Sequence, residues 1–478
     1  MTITTATLSG TRTELPDDVL DQFRAQLRGE VLTASDPGFD QVRPVFNAMH
    51  QEKPALAIEC SGTADVIDAV NFARDRQLAV TVRGGGHSVA GLSSQEGGVL
   101  IDLSQMRAVD VDVEERVAHV QGGALWGDVD RETQAFGLAT PGGVVSDTGV
   151  AGLTLGGGYG WLRRKYGLSC DNVLSAKVVC ADGVLRTASP ATNPDLFWAI
   201  RGGGGNFGII TSFTFRLHEL GPIVAAATVF YPMDAAEQVL RRWRDHVATV
   251  PDEVTTELVC VTMPAAPELP PEIHDQPCVV VAGVYAGKDL DAGMRALQPL
   301  RELGTPLADA SQPMPYSVIQ SDFDAFFPRA AFQAYWKSVY LPDLTDGAID
   351  VVAAKARHRP TPLTLVNLLH MGGAVARVGE EETAFAQRRA PFMVSIDGHW
   401  PDPAQNAEKI AWVRSAWDDV ARFGTGEVYL NFMGLADEAP STNVDTAFGR
   451  NLARLAQIKA TYDPGNFFRN NNNITPAS

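Results

Sequence analysis

Ala79-Val80-Thr81-Val82-Arg83-Gly84-Gly85-Gly86-His87-Ser88 carries a β-branched strand straight into three consecutive glycines, a histidine and a serine. Glycines permit close backbone approach and let neighbouring N–H groups form a concavity for an anion. Two more clusters follow, Gly156-Gly157-Gly158 and Gly202-Gly203-Gly204-Gly205. A single cluster ordinarily marks a tight turn. Three within about 125 residues, the first directly behind a strand, point to a long phosphate-bearing cofactor. The third cluster satisfies G-x-G-x-x-G from Gly203 to Gly208, but a dinucleotide fingerprint needs a strand before it and a helix after it. Here the helical Leu196-Phe197-Trp198-Ala199-Ile200 precedes and the strand-like Ile209-Ile210-Thr211 follows, so that reading fails. No G-x-x-x-x-G-K-[ST] exists.

Around the first loop the pattern alternates strand and helix. Ala57-Ile58-Glu59-Cys60 reads extended, and Ser61 is placed to cap a helix carrying Val66, Ile67, Val70 and Ala73. Strands follow at Val99-Leu100-Ile101-Asp102-Leu103 and Val117-Ala118-His119-Val120, with helical periodicity over residues 125–136. Upstream, residues 1–15 are Thr-rich and read as frayed, and residues 17–27 as a helix. Beyond Leu220-Gly221-Pro222 the texture changes: strands at 224–230 and 279–284 alternate with amphipathic helices at 235–247 and 292–300, as in a sheet covered by helices. The expected division is an N-terminal segment (1–45), a cofactor-binding unit (46–218), an inserted α/β unit (219–440) and a returning C-terminal segment (441–478). The fold class is α+β.

The 478 residues carry 39 Lys and Arg against 57 Asp and Glu, a net charge of −18. That balance opposes a phosphate backbone and an anionic membrane surface, so neither nucleic acid nor membrane is expected as a partner. The start lacks a basic-then-apolar signal pattern, and no run of 18 apolar residues occurs. Five cysteines without C-x-x-C spacing fit free thiols and a cytoplasmic location, and the nine histidines form no metal motif. Nothing in the sequence specifies an oligomeric state.

Taken together, Thr81 to Ser88, then Gly156-Gly157-Gly158-Tyr159-Gly160 with Arg164-Lys165-Tyr166-Gly167-Leu168 and Asp171-Asn172-Val173, then Asp195-Leu196-Phe197-Trp198 leading to Arg201-Gly202-Gly203 and Gly205-Asn206-Phe207-Gly208, and finally Tyr462-Asp463-Pro464-x-Asn466-x-Phe468 with Asn473-Ile474, resemble the berberine-bridge-enzyme-like FAD-linked oxidases. The likeness spans residues 50–218 and 445–475. It implies a two-part PCMH-type FAD-binding domain with an inserted substrate domain. It implies FAD bound covalently through His87, with Arg83, Gly84, Gly85, Gly86 and Ser88 around the pyrophosphate. The same resemblance assigns Val145, Ser146, Thr148, Gly149, Gly152, Gly156, Gly157, Gly208, Ile210, Asn471 and Asn473 to the cofactor. Many members add a second bond from a cysteine where this chain has Val145, so attachment here is expected to be single. Thr148 stands at the family's oxygen-gating position. Its volume, close to that of Val, favours an oxidase that passes electrons to O2 and releases H2O2.

Oxidising an alcohol or amine at a flavin needs a base for the O–H or N–H proton. Several members use a Tyr-x-Asn-Tyr segment, matched here by Tyr429-Leu430-Asn431-Phe432, where the second tyrosine has become a phenylalanine. Tyr159 matches an active-site tyrosine, and Asn431 is assigned to orienting the substrate. On Met393-Val394-Ser395-Ile396-Asp397-Gly398-His399-Trp400, period-two alternation puts Ser395, Asp397 and His399 on one face. That face reads either as a solvent-facing surface or as the site of an Asp397–His399 acid/base pair, unless an amine bound neutral needs no strong base. The expected activity is oxidation of a small-molecule alcohol or amine. The alternatives are a dehydrogenase or tailoring oxidase with another acceptor, and a catalytically silent FAD-binding protein.

Overall fold

The computed structural model describes residues 2–267, 269–435 and 446–478. Strands Leu56–Glu59, Val99–Asp102 and Val80–Arg83 lie parallel, with Glu30–Leu32 antiparallel at one edge. Helix Thr63–Asp75 connects the first of these to Val80–Arg83 and buries Val66, Ala69, Val70 and Ala73 against the sheet. A strand buried on both faces reads as a continuous apolar run, and Val99-Leu100-Ile101 does so. Because Val80–Arg83 is an edge strand ending at Arg83, the glycines behind it emerge at the sheet's rim, free to serve as a loop.

Residues 109–216 build a second, antiparallel sheet of five strands in the order Leu185–Ala188, Val173–Val179, Ile209–Arg216, Val117–Gln121, Val109–Asp112. Helix Val150–Leu155 and the short helix Arg163–Tyr166 lie between strands Val117–Gln121 and Val173–Val179 and carry the second glycine cluster between them. The inserted unit is an antiparallel sheet ordered Ala308–Asp309, Ile223–Pro232, Pro277–Tyr285, Val254–Thr262, Leu365–His370, Phe392–Trp400, Gln333–Leu341, with Gln312–Pro315 also on Ile223–Pro232. Alternate residues (Leu258, Cys260, Val366, Leu368, Val394, Ile396) face helices Ala236–Val247, Asp346–Arg357 and Asn406–Ala421 in one apolar core. The opposite face, carrying Glu257, Val259, Asn367 and Asp397, looks toward the glycine loops. This is the sheet covered by helices that the sequence predicts, and the whole is α+β.

Three expectations change. Of the segment expected to be frayed, residues 2–15 are ordered: Ile3–Ala6 and Arg12–Leu15 form a hairpin, and Ala6 N–H bonds Gly97 O at 2.7 Å. Threonine's β-branching, read as polarity alone, favours this strand pairing. Ser61 is not the helix cap: Gly62 holds that position, and Ser61 instead donates its N–H and Oγ–H to Asp65. The Asp17 helix ends at Arg24 rather than at residue 27. The boundary expected at 440/441 lies outside the described residues.

The C-terminal segment returns to the first unit through a buried carboxylate. Asp463 pairs with Lys459 at 2.9 Å and accepts the N–H groups of Phe467 and Phe468. Asn206 then donates to Asn472 O and accepts from Ile474 N–H, which docks the asparagine run on the third glycine cluster.

Candidate active site

The three glycine clusters, the docked tail and the open face of the inserted sheet enclose one cavity of about 330 Å³. At the first cluster two loops meet backbone to backbone. A Cβ on Gly85 would stand 2.4 Å from N and Cα of Gly149, and one on Gly149 would stand 2.4 Å from Gly85 N. No side chain fits at either position. A Cβ on Gly156 would likewise meet Asn431 Oδ1 at 2.1 Å. Arg83, at the strand's end, is committed to structure: its guanidinium pairs with buried Asp102 (Nε–Oδ1 2.9 Å) and reaches the carbonyl of Val42.

His87 sits half-buried beside this loop, stacked on Phe46 with ring centroids 4.1 Å apart. Its Nε2 is buried without a hydrogen-bond partner. Burial holds its pKa down at about 4, with Asp147 opposing the shift and Arg329 reinforcing it. The imidazole is therefore neutral near pH 7. The inserted unit clamps the same loops. Arg329 donates to Asp147 and to Gly85 O at 2.7 Å, Ser146 N–H and Oγ–H both donate to Asp324, and Gln320 donates to Gly143 O at 2.9 Å.

Asp397 projects from the sheet into the cavity. Its carboxyl accepts from Ser395 Oγ and from Asn367 Nδ2 at 2.6 Å. Burial drives its pKa up to about 7, against the lowering effect of those two bonds. The strand Phe392–Trp400 is buried along its whole length, which removes the solvent-facing reading. The Asp397–His399 pairing is also absent. His399 Nε2 accepts from Trp336 Nε1 at 2.9 Å and its Nδ1 lies 3.3 Å from Leu363 O, so neither nitrogen is free to exchange a proton. Alternation placed both residues on one face, but their separation along the strand lets each find its own partner.

Tyr159 lies 4.6 Å from Tyr429 between ring centroids, and its hydroxyl is buried and unpartnered. Tyr429 Oη accepts from Gly158 N–H (3.1 Å) and Asn431 Nδ2 (2.8 Å). Burial raises both phenols above their ordinary value, so neither is a ready base at neutral pH. Phe432 fills the cage edge-on against Tyr159, Tyr429 and Trp336.

Of the residues expected at the site, Gly84, Gly85, Gly86, His87, Ser88, Val145, Thr148, Gly149, Gly152, Gly156, Tyr159, Gly208, Ile210, Asp397, Tyr429, Asn431 and Asn471 line the cavity. Arg83, Ser146, Gly157, His399 and Asn473 stand outside its lining. Sequence reasoning missed Glu257 and Asn367. Asn367 is a lone polar residue inside the apolar run Leu365-Val366-Asn367-Leu368-Leu369, and Glu257 is the one charged residue in Val254-Thr255-Thr256-Glu257-Leu258-Val259-Cys260-Val261; those were the available signals. Burial raises the pKa of Glu257 to about 7, partly offset by Arg163.

Residues 54–189 match the family described as FAD binding domain, and residues 428–475 the family described as berberine and berberine like. The FAD-linked oxidoreductase pgmH of Aspergillus terreus is 30% identical, the match covering 94% of each chain. The (R)-6-hydroxynicotine oxidase of Paenarthrobacter nicotinovorans is 29% identical over 94% of this chain and 97% of that one. Among solved structures, 6-hydroxy-D-nicotine oxidase from Arthrobacter nicotinovorans superposes with a TM-score of 0.83 at 27% identity, covering 94% of this chain and 98% of that one.

Proposed function

The chain belongs to the berberine-bridge-enzyme-like FAD-linked oxidoreductases, and from that premise we propose that it is an oxidase carrying a single covalent flavin on His87 and using Asp397 as its base toward a small-molecule alcohol or amine. The observation that carries this reading is the pairing across one cavity of an unpartnered imidazole nitrogen with a buried carboxyl whose pKa is near 7.

The residues present fit FAD. His87 Nε2 and Asn471 Oδ1 are buried polar atoms with no protein partner, and such atoms are costly unless something else satisfies them. The glycine loops present bare backbone to the cavity, with open space where a Cβ of Gly152 or Gly205 would stand. His87 would hold the ring system, the loop from Gly84 to Ser88 the pyrophosphate, and Asn471 a polar edge. Single attachment is supported by Val145, which lines the cavity without a nucleophile, and by Cys170, which is buried outside the lining with its Sγ at Asp171.

FAD, when bound, supplies the hydride acceptor and returns the electrons to O2 with release of H2O2. Asp397 takes the proton from the substrate's hydroxyl or amine. A carboxyl held near pH 7 combines a large ionised fraction with real proton affinity, the condition for general-base work at neutral pH. Asn367 and Ser395 fix its orientation by donating to its two oxygens. Tyr159, Phe432 and Trp336 supply an apolar wall that excludes water.

The test begins with an absorbance spectrum of the purified protein and acid precipitation. Flavin colour in the pellet, lost from the pellet in His87→Ala, together with peroxide release during an alcohol and amine screen, is the expected result. Colour in the supernatant refutes the covalent link. Flavin that substrate reduces but air reoxidises slowly makes the protein a dehydrogenase, and flavin that no substrate reduces makes it a silent binder.

A further inference from the structure

Two carboxyls enter the cavity, and the mechanism uses one. Glu257 lies on strand Val254–Thr262 with its side chain 6% exposed, and it lines the cavity from the sheet side. Among the described residues its carboxyl receives no hydrogen bond. The nearest cation is Arg163, with NH1 3.9 Å away, and that guanidinium is spent on carbonyls: Nε on His370, NH1 on Gly160, NH2 on Thr256. Arg163 itself is fully buried and outside the cavity lining. A buried carboxylate with unfilled acceptor sites is costly, and water or a ligand donor on the cavity side removes that cost.

Three further observations say what kind of donor fits. Glu257 and Asp397 are the carboxyls in the lining, and neither Lys nor Arg lines it among the described residues, so the cavity's field favours a cation. Asn367, on the neighbouring strand, sits diagonally from Glu257, because Glu257 pairs with Leu369 and Val259 with Asn367. Its Nδ2 is fixed on Asp397, which leaves its Oδ1 buried and unpartnered, a second acceptor on the same floor.

Resting on the oxidase reading above, we propose that Glu257 anchors a positively charged nitrogen of the substrate, remote from the carbon that is oxidised, so that the site selects a cationic amine with an apolar body over neutral or anionic molecules. The register gives the spacing. Glu257 is level with Leu369 and Met393, whereas Asp397 is four residues further along Phe392–Trp400 and two strands away. With about 4.8 Å between strands and about 3.4 Å per residue, the two Cα atoms are roughly 17 Å apart. Both side chains project into the cavity, so an extended chain of about ten heavy atoms reaches from one carboxyl toward the other.

A matched set of ω-substituted alcohols tests this on the purified holoprotein: 8-amino-1-octanol, its neutral isostere 1-nonanol, and 9-hydroxynonanoate. Affinity is read from perturbation of the flavin absorbance and, independently of flavin, from the shift in melting temperature. The ammonium probe is expected to bind at least tenfold tighter than 1-nonanol, and the carboxylate probe more weakly than either. Glu257→Gln, which keeps the volume and removes the charge, is expected to bring the first ratio to about one. Equal affinity of the ammonium and neutral probes in the unmodified protein, or absence of binding by both, overturns the proposal without need of the variant. A preference that survives Glu257→Gln overturns it as well. A protein without flavin defeats the oxidase reading, while the melting shift still decides whether the cavity prefers the cation.

Discussion

Replacing Asp397 by Asn separates activity from stability, and both magnitudes follow from the same burial. The carboxyl titrates near 7 in the folded chain, against about 3.9 in an unfolded one. Its folded pKa is raised, so its contribution to stability is fully present below about pH 3.9 and is lost as pH rises through 7. Between pH 5 and 7 the unfolded chain is already ionised while the folded one still holds its proton. That is about two units at ~1.36 kcal/mol each, or close to 3 kcal/mol lost between pH 5 and 8. Asn does not titrate. Relative to the unmodified protein, the variant should therefore gain that amount over the same interval, read by urea unfolding at the two pH values. Glu257 and Asp130, also raised to about 7 by burial, titrate in both proteins and cancel in the difference.

Activity moves the other way. For an alcohol substrate, whose own ionisation lies outside the range, kcat/KM of the unmodified enzyme should rise with pH through a limb near 7 as Asp397 loses its proton. Asp397→Asn should lower kcat/KM by roughly 10²–10⁴-fold and abolish that limb. The assay is peroxide release, checked by anaerobic flavin reduction so that reoxidation does not intrude. A variant within tenfold of the parent, or one that keeps the limb near 7, refutes Asp397 as the base. A variant that gains no stability between pH 5 and 8 refutes the buried, raised carboxyl from which the role was inferred.

Gly85→Ala places a methyl 2.4 Å from the Gly149 backbone, and should cost about 3 kcal/mol and lower bound flavin per chain; urea midpoint and the ratio of visible to ultraviolet absorbance check it. Asp102→Ala strands the Arg83 guanidinium in the interior and should cost about 3–5 kcal/mol in urea unfolding, much of it recovered by Asp102→Asn. Phe432→Tyr restores the family's phenol within the aromatic cage, yet the pH limb near 7 should stay where it is, because the proton goes to Asp397; a displaced limb in the pH–rate profile would transfer the role to residue 432.

What the sequence made legible and what it hid divide along one line. The glycine loops were legible because their signal is local: three consecutive glycines behind a strand mark backbone that must be approached without a Cβ in the way, and the contact of Gly85 with Gly149 is the reason both lack a side chain. The α+β class and the face bearing Ser395, Asp397 and His399 were legible for the same reason, since alternation is a property of one strand. Partners across strands were not. Whether Asp397 meets His399 or Asn367 depends on which strand lies beside it, and the register that puts Leu365 opposite Asp397 and Asn367 opposite Ser395 joins segments the sequence keeps apart. Glu257 was missed on the same ground, for its distance from Asp397 exists only once three strands are assembled. The substitution at residue 432 removes one candidate base, while the alternation of its own strand already offered Asp397 as another. Across the sheet, a carboxyl on another strand already faces the same cavity, so the loss of a phenol at 432 does not leave the site without a proton acceptor.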